Sequence, residues 1–177
     1  KILITDRCVY KNNLTISAKP FFIDEFEARG CTPVNLSKPD GLACMIYTSG
    51  STVKPKVVMI SHKAKAGFVR FITKEWGLDN KSRIYCYSNF AFDGSVANLY
   101  PVLTVGGVMY VVPKEIRKDL ELVHKFIIDN GITGGHHTTQ FGVMLIQQYP
   151  DLPLKYLSVG GARLTVVPEC STRFINA

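Results

Sequence analysis

A run of hydroxyl, glycine and lysine residues at positions 47–56 is the segment of this chain best suited to bind phosphate. Hydroxyls and backbone N–H groups bind phosphate oxygens through short, charge-assisted hydrogen bonds, and lysines add positive charge. The Gly-x4-Gly-Lys-Ser/Thr spacing of a Walker loop is absent. A plain solvated loop is the alternative interpretation. The candidate phosphate-binding residues are Thr48, Ser49, Gly50, Ser51, Thr52, Lys54 and Lys56.

Two other segments carry polar side chains among apolar neighbours. Asp93 precedes Gly94, and an Asp-Gly pair taken alone fits a turn or a helix cap. His136 and His137 are adjacent, which raises the question of a metal site. No further Cys, His or Asp stands at ligand spacing from them, so we expect no metal there.

The elements that would position these residues follow from alternating apolar runs and helical patterns. Strand patterns occur at 1–5, 21–23, 43–47, 56–60, 84–87, 108–112, 132–133 and 154–159. Helical patterns follow Ser61 and Thr138, and others begin near Ser95, Leu120 and Val166. This alternation predicts an α/β fold whose mostly parallel sheet is covered by helices on both faces. The continuous apolar run 43–47 predicts a strand buried on both faces, around which the sheet is built.

Ligands of such folds bind beyond the carboxyl ends of the strands. The loops after Tyr47, Ser88, Thr133 and Val159 are therefore expected to carry the chemistry. Within the helix that Ser61 caps, the residues of one apolar face recur every four positions, as expected of a face that packs on the sheet. They are Ala64, Phe68, Ile72 and Trp76.

Composition narrows the functional classes. The net charge is +7, but the basic residues are scattered, which favours a solvated basic surface over a nucleic-acid-binding face. No apolar run reaches the roughly 18 residues of a membrane span, so we expect no membrane-spanning segment. The chain does not open with a basic stretch followed by an apolar one, so we expect no signal peptide. The five cysteines form no CxxC pair, which favours a reducing cytoplasm.

Four motifs in order resemble those of the adenylate-forming superfamily. Residues 47–57 are similar to its phosphate loop, Tyr-Thr-Ser-Gly-Ser/Thr-Thr-Gly-x-Pro-Lys-Gly, but Val53 and Val57 replace two glycines. Residues 89–95 resemble the Phe-Asp-x-Ser motif of amino-acid-activating members. Residues 131–139 resemble the Ile-Thr segment of the substrate pocket, and 157–164 resemble a Gly-Gly-Glu-x-Leu turn in which Ala162 replaces glutamate.

The chain is thus identified as a member of this superfamily, similar to adenylation domains of nonribosomal peptide synthetases. The resemblance implies that Asp93 binds the α-ammonium group of an amino acid. It implies an amino-acid pocket formed by Phe92, Asp93, Gly94, Ala97, His136, Ser158 and Gly160. Gly161, Ala162 and Arg163 would approach the nucleotide. No metal ligand falls among these positions.

The family reaction that the resemblance implies joins an amino acid to ATP, with Mg²⁺, to give an aminoacyl-adenylate and pyrophosphate. The product is transferred to the thiol of a peptidyl carrier protein. The family motifs for adenine, magnesium and the catalytic lysine are expected beyond Ala177. We therefore expect residues 1–177 to be one part of the N-terminal core, without the lid domain and inactive alone. We expect no nucleic-acid or membrane partner and a cytoplasmic location.

Two alternatives remain open at this point. Val53, Val57 and Ala162 depart from the family pattern and favour a degenerate, non-catalytic scaffold domain. A flavodoxin-like module that binds a small ligand is the other alternative, and it predicts that Ser49 and Lys56 can be replaced without effect.

Overall fold

The computed structural model describes residues 2–13, 17–27, 30, 32, 34–48 and 56–177. These residues form two units, Lys1–Leu36 and Ser37–Ala177. In the first unit, strands β1 (Ile2–Thr5) and β2 (Lys19–Phe22) pair in parallel, and helix α1 (Arg7–Asn13) connects them. Arg7 forms an ion pair with Glu25, and its guanidinium carbon lies 3.9 Å from the centroid of the Phe22 ring. Both contacts fix the start of α1 to the segment that follows β2.

The second unit contains the strands and helices that the site depends on. Its strands are β3 (Leu42–Thr48), β4 (Lys56–Ser61), β5 (Arg83–Cys86), β6 (Val108–Val111), β7 (Gly134–Thr138), β8 (Tyr156–Gly160) and β9 (Arg173–Asn176). Its helices are α2 (His62–Glu75), α3 (Gly94–Thr104), α4 (Leu120–Asp129) and α5 (Thr139–Gln148).

A five-stranded parallel sheet in the order β6-β5-β7-β8-β9 forms the middle layer of this unit. Successive side chains of a strand point to opposite faces, so one strand can supply both cores. Ile84 and Tyr156 pack with residues of α2 and α3 on one face, and Tyr85 and Leu157 pack with residues of α4 and α5 on the other. The predicted fold class, three layers around a mostly parallel sheet, is confirmed.

Three details of the sequence-based assignment are wrong. The run 43–47 lies in β3, which pairs antiparallel with β4 in a separate two-stranded sheet. Met45 and Tyr47 in it are exposed, so it is neither buried on both faces nor the centre of the parallel sheet. The strand expected at 132–133 begins at Gly134. The helix expected after Val166 is absent, since residues 163–170 have no regular structure and β9 adds a fifth strand.

Two adjacent glycines let large rings close over the central strand β7. A Cβ atom built on Gly134 would lie 2.4 Å from the ring of Tyr156, and one on Gly135 would lie 2.5 Å from the ring of Tyr85. Both distances are shorter than any van der Waals contact, so neither position has room for a side chain. The rings fill the space above and below β7 and bring the layers together there.

We expect Gly135→Ala to lower the free energy of unfolding by about 1–3 kcal/mol, because overpacking displaces the Tyr85 ring or the strand. Urea unfolding followed by circular dichroism measures the change. The control is Gly67→Ala, because a Cβ atom added there meets nothing within 4 Å. In the interior of a helix alanine is more favourable than glycine by about 1 kcal/mol, so this variant should not lower stability. An unchanged stability of Gly135→Ala would show that the Tyr85 ring does not close on β7.

Candidate functional site

A cavity of about 490 Å³ opens where β7 and β8 end, within the second unit. This is the carboxyl edge of the sheet, where ligands of parallel α/β folds bind. Apolar side chains of α2 and of the β3–β4 hairpin line most of it, and the polar members of the lining are Lys65, Asp93 and His136. Four other predicted site residues join them in the wall, namely Gly94, Ala97, Gly160 and Gly161. The site is thus apolar with a few convergent polar groups, the usual character of a small-molecule pocket.

Asp93 lies at the start of α3, on the wall of this cavity. Its Oδ1 accepts a hydrogen bond of 2.8 Å from the backbone N–H of Gly94, so the carboxylate does serve as the helix cap that an Asp-Gly pair suggests. The two roles are compatible, because one hydrogen bond leaves further lone pairs on the carboxylate. Asp93 is exposed to solvent and can therefore receive a cation from the cavity.

His136 lies on β7 opposite Ser158 of the neighbouring parallel strand β8. Its Nδ1 is 3.1 Å from the Ser158 Oγ. Burial lowers the pKa of His136 below its usual value, and the nearby charge of Asp93 offsets part of that effect. The imidazole is therefore neutral at physiological pH, with one protonated and one unprotonated nitrogen.

The Ser158 hydroxyl determines which nitrogen of His136 carries the proton. Ser158 is fully buried, and within the described part of the chain the imidazole is the partner of its Oγ. If Nδ1 donated to Oγ, the serine proton would be buried without an acceptor, at a cost of about 1–3 kcal/mol. The hydrogen-bond network thus assigns Ser158 as the donor to Nδ1. The proton of His136 is then on Nε2.

Two glycines leave the Nε2 edge of the imidazole uncovered. A Cβ atom on Gly94 would lie 3.5 Å from Nε2 and 3.0 Å from the Ser88 Oγ. One on Gly160 would lie 3.2 Å from the Cε1 of His136. Any larger side chain at either position would cover this edge. Gly94 and Gly160 therefore keep an N–H donor accessible on the cavity wall.

The remaining predicted site residues of this region lie outside the cavity wall. Phe92 is 67% exposed, and Ser158 lies behind His136. Ala162 and Arg163 are exposed in the turn after β8. The Oγ1 of Thr139 donates a hydrogen bond of 2.9 Å to the backbone carbonyl of Ala162, which anchors this turn to the start of α5.

Most of the predicted phosphate-binding loop, from Ser49 to Pro55, lies outside the described residues. This includes Ser49, Gly50, Ser51, Thr52 and Lys54. The backbone of Thr48 ends β3 and pairs with that of Lys56, an exposed residue at the start of β4. The structure therefore places the two ends of the loop side by side.

Val57 replaces a family glycine without strain. It lies in β4 opposite Tyr47, and no non-glycine residue in the described ranges has a positive φ. Extended backbone suits a β-branched residue. The replacement at Val57 therefore does not by itself argue for a distorted loop. Val53 falls within the part of the loop that is not described.

Sequence reasoning missed one side of the cavity. Ala64, Phe68, Ile72 and Trp76 were interpreted only as the face of α2 that packs on the sheet, yet all four line the cavity. Ile72 and Trp76 are also buried in the core, whereas Phe68 is 43% exposed. The opposite side is formed by Cys44, Ile46 and Ile60 of the β3–β4 hairpin. The sequence did contain a signal for these three residues, since they flank the predicted phosphate-binding loop.

Two further properties hold for the residues that the structure describes. No group of three or more His, Cys, Asp and Glu side chains in that part of the chain is arranged to hold a metal ion. None of the helices found there combines the length and the apolar character needed to cross a bilayer.

The model of one protein family, described as AMP-binding enzyme, matches residues 2–174. Among curated proteins, tyrocidine synthase 1 of Brevibacillus parabrevis is 30% identical over 138 residues, or 75% of this chain and 13% of that protein. Bacitracin synthase 1 of Bacillus licheniformis is 31% identical over 145 residues, or 80% of this chain and 3% of that protein. The chain thus spans a small part of the length of these relatives.

Solved structures give the same fold. The nonribosomal peptide synthetase FmoA3 in its AMPPNP-bound form aligns with a TM-score of 0.79 at 23% identity, covering 91% of this chain and 18% of that one. Its form bound to alpha-methyl-L-serine-AMP also gives 0.79, at 22% identity, over 92% of this chain and 19% of that one. The Klebsiella oxytoca NpsA N-terminal subdomain gives 0.78 at 19% identity and covers 99% of this chain and 46% of that one.

Proposed function

Because this chain belongs to the AMP-binding enzyme family, we propose that it forms the amino-acid-binding part of an adenylation domain in a nonribosomal peptide synthetase. The observation that carries the proposal is the cavity at the end of β7 and β8, which combines apolar walls with the Asp93 carboxylate. In this view residues 1–177 belong to the N-terminal core of that domain.

Asp93 binds the α-ammonium group of the substrate. A carboxylate on the wall of a largely apolar cavity favours a cation, and a charge-assisted hydrogen bond is about twice as strong as a neutral one. Fatty acids and aryl acids carry no ammonium to satisfy it. Gly94, Ala97, His136 and Gly160 then surround the side chain, with Ser158 supporting His136. Phe92, the residue before Asp93, belongs to the same amino-acid-binding motif.

ATP is the second substrate. FmoA3 has been solved with AMPPNP and with alpha-methyl-L-serine-AMP, which supports nucleotide use by this fold. The phosphates are bound by Thr48, Ser49, Gly50, Ser51, Thr52, Lys54 and Lys56. Gly161, Ala162 and Arg163 form the turn next to the nucleotide. Mg²⁺ accompanies ATP and supplies charge stabilisation at the phosphates.

The reaction is attack of the amino-acid carboxylate on the α-phosphorus of ATP. A C–O–P bond forms to give the aminoacyl-adenylate, and the bond to the β-phosphate breaks to release pyrophosphate. This chain holds the amino acid by its ammonium and side chain, which leaves the carboxylate free to react. Holding the reactants in position removes much of the entropic barrier. The apolar walls keep water from the adenylate.

The thiol of a peptidyl carrier protein receives the activated amino acid, and the reaction takes place in the cytoplasm. Similarity to nonribosomal peptide synthetases supports a carrier-protein acceptor. The five cysteines, with no CxxC pair, favour a reducing compartment. A nucleic acid or a membrane has no part in the proposed reaction.

A non-catalytic scaffold domain is the second candidate. The observation that favours it is Ala162, which leaves the turn after β8 without the carboxylate that the family pattern has there. A scaffold of this kind retains the cavity and binds a ligand without turning it over. The scaffold and the active domain therefore have the same fold and the same ligand-filled cavity. They differ in whether the bound amino acid is converted to an adenylate.

Pyrophosphate exchange by the full-length protein that contains this chain separates the two. We expect exchange of labelled pyrophosphate into ATP that depends on an added amino acid. Absence of exchange with every proteinogenic amino acid, in a protein that still binds MgATP, would favour the scaffold. Loss of exchange in Ser49→Ala and Lys56→Ala would exclude a module that uses neither residue.

A further inference from the structure

Among the described residues of its wall, the cavity presents one uncharged side-chain nitrogen that can donate to a bound side chain. This donor is the Nε2–H of His136, left open between Gly94 and Gly160. The other polar groups of the wall have different tasks. Asp93 takes the ammonium group, and the ammonium of Lys65 lies 3.4 Å from the centroid of the Tyr100 ring. The rest of the lining is apolar or glycine.

From this arrangement we infer that the site selects an α-amino acid whose side chain ends in an uncharged oxygen acceptor, a hydroxyl or a carboxamide, bound by the Nε2–H of His136. The inference rests on the proposed function and adds the class of side chain. His136 is here a specificity-determining residue, and Ser158 positions it by fixing its tautomer.

An apolar side chain of the same shape is rejected because it leaves the Nε2–H without an acceptor. Sites that hydrogen-bond a substrate group discriminate strongly against analogues that lack it, since their own polar group is then unpaired. Apolar walls alone discriminate weakly against an added or missing hydroxyl. The donor on His136 therefore dominates the choice between isosteres.

Charged side chains are rejected for a different reason. A neutral imidazole brings no positive charge to balance a second carboxylate, and Asp93 already places a negative charge nearby. Lys65, the cation in the described part of the wall, holds its ammonium against the Tyr100 ring. A lysine-like side chain offers only donors, which cannot pair with an N–H. The acceptor must therefore be neutral.

The experiment uses the full-length protein and compares matched substrates in amino-acid-dependent pyrophosphate exchange. The pairs are threonine with valine, asparagine with leucine, and asparagine with aspartate. We expect kcat/KM to favour the best neutral acceptor over its apolar and its charged counterpart by about 100-fold or more. A preference for valine, leucine or aspartate in the wild-type protein would overturn the inference.

Two variants test the residue. His136→Phe keeps a ring of similar size and removes the donor, so the 100-fold preference should fall below about 5-fold, mainly through loss of activity with the neutral acceptor. Ser158→Ala removes the hydrogen bond that keeps the His136 proton on Nε2. It should raise KM for the acceptor substrate more than it lowers kcat. His124→Phe, on α4 and outside the cavity wall, is the matched control and should keep the preference. A preference that survives His136→Phe would overturn the assignment.

The outcomes also separate this inference from the proposed function. If no amino acid supports exchange, the proposed function fails and the inference fails with it. If an apolar amino acid supports exchange and the activity depends on Asp93, the proposed function stands and the side-chain inference is wrong.

Discussion

Replacing Asp93 with asparagine is expected to lower amino-acid-dependent pyrophosphate exchange by about two to four powers of ten in the full-length protein. The substrate ammonium would then lie in the cavity without an opposite charge. Asp93 is exposed in the empty cavity, and the proposed pair is desolvated when the bound amino acid covers the carboxylate. Removing one partner of such a pair costs about 3–5 kcal/mol, and each 1.4 kcal/mol is a factor of ten. Exchange measured over a range of amino-acid concentrations gives the loss in kcat/KM.

Asparagine is the informative replacement because Asp93 also caps α3. The amide oxygen of asparagine can still accept the 2.8 Å hydrogen bond from Gly94 that the carboxylate accepts now. The variant therefore changes the charge and keeps the cap. Alanine removes both, which mixes a loss of helix stability of about 1 kcal/mol with the loss of binding.

Asp119 provides the matched control. Its Oδ1 caps α4 by accepting a hydrogen bond of 3.0 Å from the backbone N–H of Leu122, and it has no place in the cavity wall. Asp119→Asn should leave exchange unchanged. Wild-type efficiency in Asp93→Asn would make Asp93 a helix cap alone, and the assignment of an amino-acid substrate would be withdrawn.

Local periodicity was enough to predict α2 to α5 and most strands, because each of these helices carries an apolar face and a clear boundary. It did not predict the short helix α1, and the helix expected after Val166 is absent. The helix starting at His62 shows this: Ser61 caps it by accepting a hydrogen bond of 3.2 Å from Ala64, and Gly77 with a φ of +63° follows its end. These signals lie within a few residues of each other, so a single sequence contains them.

Strand pairing was harder because it joins residues that are distant in sequence. The run 43–47 has the apolar character of a buried parallel strand, yet it pairs with its immediate neighbour in an antiparallel hairpin. Its apolar side chains Cys44 and Ile46 face the cavity instead of a sheet core. An apolar residue type indicates that the side chain is shielded from water. It does not show whether the side chain lies in a core or in the wall of a cavity.

The same limit explains what was missed at the site. The motifs indicated Asp93 and His136, and the structure brings both to one cavity. The dual role of α2 was not apparent, because Phe68 and Trp76 fit a core-facing stripe equally well. The tautomer of His136 was also beyond the sequence, since it depends on the burial of Ser158, a residue 22 positions away.

The second histidine, His137, leads to the other large prediction. It points to the opposite face of β7 from His136, and its ring is fully buried. The ring centroid lies 4.4 Å from that of Phe141, nearly parallel to it, and 3.7 Å from that of Tyr87. Neither ring nitrogen has a hydrogen-bond partner within the described part of the chain. Burial lowers the pKa of His137 well below its usual value, with a smaller contribution from His136.

The pH dependence follows from that direction. The unfolded chain protonates this histidine below about pH 6.5, whereas the folded chain keeps it neutral. The unfolded state therefore binds more protons as the pH falls, and stability is lost below about pH 6.5 at up to about 1.4 kcal/mol per pH unit. Above that pH both states are neutral and this contribution to the slope vanishes.

We expect His137→Phe to raise the free energy of unfolding by about 2–4 kcal/mol at pH 7, because phenylalanine keeps the aromatic stack and removes two buried, unpaired polar atoms. At pH 5 the gain should be about 2 kcal/mol larger, since the variant no longer takes up a proton on unfolding. Urea unfolding at pH 7, 6 and 5 measures both effects. His124→Phe, at a half-buried histidine that stacks on Tyr149, is the control and should keep the wild-type loss of stability in acid. If His137→Phe lowered stability or left the acid dependence unchanged, the imidazole of His137 must have a polar partner when the chain is folded.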